Sequence, residues 1–345
     1  MTVESQLRFP DLPSRRPADV LRRRQFLQGA LLLGLGGLAG CTRAASPTLM
    51  AAPETLPLLW RRALPKPWRF TPLRSASQLD TALPKQADLL ALPDGWIPAL
   101  PEDAWQPLQA DSLRQRLSSE AVAFLETFTP ARSSALLPLS LSPWVLLFRG
   151  ADHVQAARDQ GWQVLLDPGL AGQLVLPASP RLLVSLAARM EGADSLRRLR
   201  RAAKVFDDRH ALNWLLQGKA KAAVLPLARC MATLRSDPRV SAVLPEQGAP
   251  LNWTLLMRPA ASREPLPQAW VEKAWSSPLL GRLLAEGWVP PLPRRALEPM
   301  QTQVPERLRS LVLPPSRVME RCWNLPPLSP SDRIRLRDQW EQSAP

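Results

Sequence analysis

The sequence predicts an α/β fold on three observations. Short apolar runs that read as strands alternate with stretches of helical spacing along most of the chain. Turn formers such as Asp94-Gly95, Asp167-Pro168-Gly169 and Gly218 punctuate the joints. No internal repeat and no long linker interrupts the alternation. Such an order buries mostly parallel sheets between helices. Composition agrees, because 46% of the 345 residues are hydrophobic, which excludes disorder throughout. Lysine and arginine number 44 against 30 acids, and a net charge of +14 taken alone suits nucleic acid or an anionic membrane. Three cysteines exclude a disulfide framework, and two histidines leave little for a multi-histidine metal site. Neither a metal nor a cofactor is expected.

The elements follow in order. Residues 25–42 carry no charge and five glycines, directly after Arg22-Arg23-Arg24. So much glycine makes a poor membrane-spanning helix, and a basic flank before an apolar run reads as a targeting signal. Arg23-Arg24-Gln25-Phe26-Leu27 resembles the twin-arginine export signature. Leu38-Ala39-Gly40-Cys41 resembles the bacterial lipobox, in which cleavage before the cysteine frees a thiol for lipidation. The alternative is an uncleaved anchor. Gly34, Gly36 and Ala39 fit a dinucleotide-binding pattern, but that pattern needs a strand before it and a helix after it. Residues 1–40 hold six arginines and three acids, so removing them leaves 305 residues with a net charge of +11. An exported chain is out of reach of nucleic acid and lies where disulfides persist. Cys230 and Cys322 then form one bridge or stay as two buried thiols.

Residues 41–54 are small and polar and read as a tether. Ala87–Ile97 is a strand ending in a turn, and Asp111–Phe128 has helical spacing. Trp144–Phe148 is a buried strand, and Gln173–Leu176 another, closed by Pro177. Helices follow over Arg181–Met190, Asp194–Val205 and Asp208–Gln217, the last capped by Gly218. Asp208 is the expected N-cap of its helix. Ala220–Leu225, Val240–Leu244 and Asn252–Met257 are strands, and Pro267–Gly287 is helical with a break at Pro278. A proline-rich tail ends in a helix, Ser331–Gln342.

Five stretches in this order carry a resemblance. They are Asp88–Ile97, Pro138–Phe148, GWQVLLDPGLAGQLVLPASPRLL at Gly161–Leu183, LLQGKAKAAVLP at Leu215–Pro226 and LPEQGAPLNWTLLMRP at Leu244–Pro259. Together they resemble the spermidine/putrescine-binding group among the solute-binding proteins of ABC importers, over about residues 55–290. The resemblance implies a two-lobe, type II periplasmic-binding-protein fold. Each lobe is then a mostly parallel sheet flanked by helices, and strands cross between lobes. Lobe 1 would take residues 55–140 and 255–315, lobe 2 residues 141–254, and the tail residues 316–345.

The resemblance also implies a non-catalytic protein that holds a small polar solute between its lobes and delivers it to a membrane permease. It would be a monomer, lipid-anchored at Cys41 on the periplasmic or cell-surface face, with no nucleic-acid partner. Four loops would line the cleft. They supply Asp94 and Trp96, Ser142 and Trp144, Ser179 and Arg181, and Asn252, Trp253 and Thr254. The family's dication clamp is acidic at positions that fall here on Ser179, Leu182 and Thr254. A dication needs opposite charge, so this cleft suits an anionic or zwitterionic solute better. Arg181 offers a bidentate fork to a carboxylate or phosphate. Two alternatives stay open, an exported adaptor on a degenerate binding scaffold and an exported cofactor-bearing enzyme. No G-x-S-x-G, H-E-x-x-H or phosphate-loop motif supports the second.

Overall fold

A computed structural model describes residues 46–52, 54–73, 79, 86–97, 102–325 and 327–345. Arg23, Arg24 and Cys41, on which the export and lipid expectations rest, lie outside these residues. The strands are β1 (Thr48–Ala51), β2 (Arg69–Pro72), β3 (Leu89–Pro93), β4 (Trp105–Gln106), β5 (Leu136–Arg149), β6 (Leu174–Leu176), β7 (Ala203–Phe206), β8 (Ala222–Pro226), β9 (Val240–Val243) and β10 (Leu251–Pro259). They form one path, β2-β1-β3-β10-β5-β8-β6-β7, with β4 on β10 and β9 on β5.

The frame of the molecule is β5. Its 14 residues are all apolar, serine or proline up to Arg149, so it can be buried along its length. From Leu136 to Pro143 it pairs antiparallel with β10. From Trp144 to Phe148 it pairs with β8, and from Leu146 to Arg149 with β9. One strand thus serves two halves. The first half is β2-β1-β3-β10 with the start of β5, and the second is the end of β5 with β8, β6, β7 and β9. Pairing is parallel in the outer strands, β1 with β2 and β3, and β6 with β7 and β8. It is antiparallel wherever β5 or β10 takes part.

Side-chain alternation along β5 divides the second half's core. Leu146 and Phe148 pack with Leu182, Leu183 and Leu186 of the helix Pro180–Ala187. Val145 and Leu147 face the other way, into a cluster with Leu215, Cys230 and Met231. That second cluster runs without a break into the first half, through Leu137, Trp253 and Trp270. In the first half Trp60 and Trp270 stack at 4.1 Å between ring centroids. Each indole N–H donates to the other residue's carbonyl, at 2.9 and 3.0 Å. Two satisfied indoles let both rings be buried without a polar orphan.

Several sequence expectations need correction. The tether predicted over residues 41–54 contains β1, whose Leu49 and Ala51 are fully buried between β2 and β3. Asp111–Phe128 is two helices, Asp111–Arg114 and Ser119–Leu125, the first ending at Gln115 and the second capped by Ser118, which accepts from Ala121 N. Asp194–Val205 stops being helical at Ala202, and β7 follows at once. Asp208 does not cap its helix. Asp207 accepts from the N–H groups of Arg209 and His210 and shapes that turn. Cys230 and Cys322 are free thiols, so the bridge weighed for them is not made. Cys230 is sealed in the larger core, and burial raises the pKa of both thiols.

Candidate functional site

The floor of the site follows from the register of the crossing strands. Ser142 lies opposite Asn252, and Ser140 opposite Thr254. Directly opposed residues share a face, and so do residues two apart. Ser140, Ser142, Trp144, Asn252 and Thr254 therefore form one polar face, which continues along β5 into Leu146 and Phe148 under the helix Pro180–Ala187. Ser140, Ser142 and Thr254 are buried, and Asn252 and Trp144 half-buried. Ser142 Oγ accepts from Ala228 N at 3.0 Å, at the start of the helix Leu227–Ser236. Trp253 belongs to the reverse side. Its ring is fully buried and stacks on Phe124 at 4.7 Å, and its indole N–H donates to Asn324.

Two loops close over this floor. After β3 the chain makes a single 3-10 turn, Asp94–Trp96. Asp94 Oδ1 accepts from Trp253 N at 3.1 Å, which fixes the carboxyl beside β10 just where its pairing with β3 ends. Burial raises its pKa to about 6, against the lowering effects of Arg181 and the Trp253 N–H. Trp96 packs half-buried against the larger core. A side chain on Gly95 would meet nothing within 4 Å, so the space beside this turn is open.

After β6 comes Ala178-Ser179-Pro180-Arg181. Ser179 caps the helix by accepting from Leu182 N at 3.3 Å, and Pro180 occupies the first turn, where no N–H is needed. Arg181 follows Pro180 in the first turn of that helix, on the side of Asp94. Its Nη2 is buried without a hydrogen-bond partner. Burial lowers its pKa, and the Asp94 charge offsets part of that. No ion pair within 4.0 Å joins Arg181 and Asp94, yet each charge offsets part of the other's burial cost across the two halves.

Sequence reasoning missed three participants. Glu54, just after β1, pairs with Arg229 at 2.9 Å and so ties the first half to the second. It was hidden inside the supposed tether. Asp208 accepts from Ala178 N at 3.2 Å, and burial raises its pKa against the lowering effects of that N–H and of Arg229. Trp323 lies on the helix Pro180–Ala187, donating to Ser185 Oγ at 2.7 Å with Arg189 stacked over its ring at 4.3 Å. Its backbone also exchanges hydrogen bonds with Ala249 and Leu251, so the tail straps the second half to the start of β10. Farther on, the helix Pro330–Gln342 docks on the same half, with Arg200 stacked on Trp340 at 3.9 Å. Around the floor three carboxylates, Asp94, Glu54 and Asp208, thus face two guanidiniums, Arg181 and Arg229, with a neutral hydroxyl and amide surface below.

No protein-family model matches the chain, and no curated protein does. Solved structures do. A spermidine/putrescine ABC transporter substrate-binding protein of Streptococcus pneumoniae, PotD, aligns over 86% of this chain and 98% of that chain, with a TM-score of 0.62 at 10% identity. The TpPotD lipoprotein of Treponema pallidum covers 86% of this chain and 99% of its own, with a TM-score of 0.62 at 11% identity. The substrate-binding protein of an ABC transporter from Agrobacterium tumefaciens covers 88% and 96%, with a TM-score of 0.61 at 13% identity. This likeness establishes the fold, that of the two-lobe periplasmic binding proteins.

Proposed function

We propose that this chain is the substrate-binding component of an ABC importer and captures a small polar solute between its two halves. The observation that carries the reading is the polar face of Ser140, Ser142, Asn252 and Thr254 on strands shared by the halves, with charged loops from both sides above it. In the two-lobe fold that region is where a ligand meets backbone ends and convergent polar groups. A transport role implies a membrane permease as partner. Export by the twin-arginine-like segment and anchoring through Cys41 complete the reading.

The solute is not a polyamine in this proposal. Two or more unopposed carboxylates would be needed to desolvate a dication, and here Arg181 offsets Asp94 while Arg229 is shared by Glu54 and Asp208. An anionic or zwitterionic solute fits better, with Arg181 Nη2 as its anion anchor and Asp94 facing any ammonium. A thermal-shift screen over putrescine, spermidine, amino acids, small carboxylates and phosphate tests this. Expected are a shift from an acid or zwitterion, none from the polyamines, and loss of the shift in Arg181→Ala. A polyamine shift that survives Arg181→Ala but is lost in Asp94→Asn would overturn the solute class. No shift with the panel or with small-molecule cell extract would overturn solute capture.

One observation favours a second reading, an envelope adaptor without solute. The halves are already tied by the chain's own Glu54–Arg229 pair and by the tail strap through Trp323. Scattering with and without the best solute separates the two, since an adaptor's radius of gyration would not change.

A further inference from the structure

We infer a second small-molecule site on the reverse side of the crossing strands, built for an organic monocation with a compact apolar body. It goes beyond solute capture between the halves and does not depend on it. A cavity of about 140 Å³ opens there. Its floor is Leu141 and Pro143, the β5 residues that alternate with Ser140 and Ser142 and so face away from the polar floor. Its walls are Val289, Leu292, Val312 and Leu313, all buried apolar side chains. That size is close to the ~150 Å³ of a dry engineered cavity that takes one benzene ring.

Collapse is resisted by the backbone. Leu141 N donates to Val289 O at 2.9 Å, and Ser118 N to Pro291 O at 2.8 Å, which fixes the spacing of three walls. Pro143, Pro290 and Pro314 line the cavity with rings that cannot swing inward. The site is thus formed before any ligand arrives, which removes an ordering cost from binding.

The mouth decides the charge of the occupant. Glu120, Glu320 and Arg294 stand there. Arg294 is already taken, by Glu298 at 2.7 Å and by the Pro314 carbonyl. Among the described residues neither Glu120 nor Glu320 is in an ion pair. Two unopposed carboxylates over a hydrocarbon pocket complement an ammonium at the rim with a ring or short aliphatic group below it.

Isothermal titration with benzylammonium, benzyl alcohol and benzoate tests this on the folded chain. Benzylammonium should bind one to one, with Kd on the order of 0.1–1 mM for so few atoms. The alcohol should bind at least tenfold more weakly, and benzoate not measurably. Glu120→Gln with Glu320→Gln should cost tenfold or more. Both side chains reach solvent, so folding should be preserved, as circular dichroism will report. Ser316→Trp, at the exposed rim, should block entry, whereas Arg181→Ala should leave benzylammonium binding unchanged. Equal binding of benzoate or alcohol, an unaffected double glutamine variant, or loss of binding in Arg181→Ala would each overturn the site. So would the absence of saturable binding.

Discussion

Asp94 holds a half-buried carboxyl whose ionisation is disfavoured. Its folded pKa stands at about 6 against an ordinary 3.8, chiefly through burial. Between those values the folded chain binds more protons than the unfolded chain, so this group makes stability fall as pH rises toward 6. Above that window a penalty on the order of 1–3 kcal/mol persists. Asn in its place keeps an oxygen for the Trp253 N–H and removes the titration. Asp94→Asn should therefore flatten the dependence of the melting temperature on pH between 4 and 6.5. A variant with the slope of the parent would contradict this account. The carboxyl and Arg181 were both readable in the sequence, because each sits in a turn just past an apolar strand. Glu54 and Asp208 were not. Their roles come from Arg229 and Ala178, partners 175 and 30 residues away, which no local pattern encodes.

At the scale of elements, the most informative misreading is β1. Thr48–Ala51 is four residues long and follows a run of small polar side chains, so its local composition resembles a linker. Only pairing on both edges, with β2 and β3, makes it a central strand. Leu49→Ala should thus cost about 2–5 kcal/mol in urea unfolding, as for a buried core leucine. In a tether the same change would cost nothing measurable. The long apolar runs behaved better. β3, β6 and β8 were legible to within a few residues, because strands covered on both faces read as unbroken hydrophobic stretches, and β10 was legible to the same margin from its Leu255–Met257 run. β7 was taken for the end of a helix. Its AKVF alternates half-buried and exposed side chains over too few residues to separate a period of two from one of 3.6. Arg197 and Arg201, which look like a solvated stripe, do stay exposed. Arg200 instead holds the C-terminal helix, a contact invisible before folding.

At the scale of the whole molecule, the larger hydrophobic cluster is continuous across both halves. It joins Leu49 and Trp270 to Leu147, Cys230 and Val240 with no polar seam between them. Two halves that share one core should lose it together. Far-UV circular dichroism and fluorescence of the tryptophans are expected to trace a single, coincident urea transition. Separate midpoints would mean independently stable lobes. The two-lobe form came with the family resemblance of five stretches in order, and the α/β class was legible from the order of strands and helices, since that order limits the possible topologies. The shared core was not, because it depends on which face of β5 each helix covers. The place of β10 has a further consequence for a chain that emerges from the ribosome N-terminus first. β10 is the strand between β3 and β5, yet it is the last strand synthesised. Until residue 259 has left the tunnel, β3 and the first part of β5 wait with open edges about 110 to 170 residues upstream of it. Closure is then a late, long-range event of the slow kind. For that interval the nascent protein is a natural client for a holdase, and crowding by neighbouring copies is its main hazard.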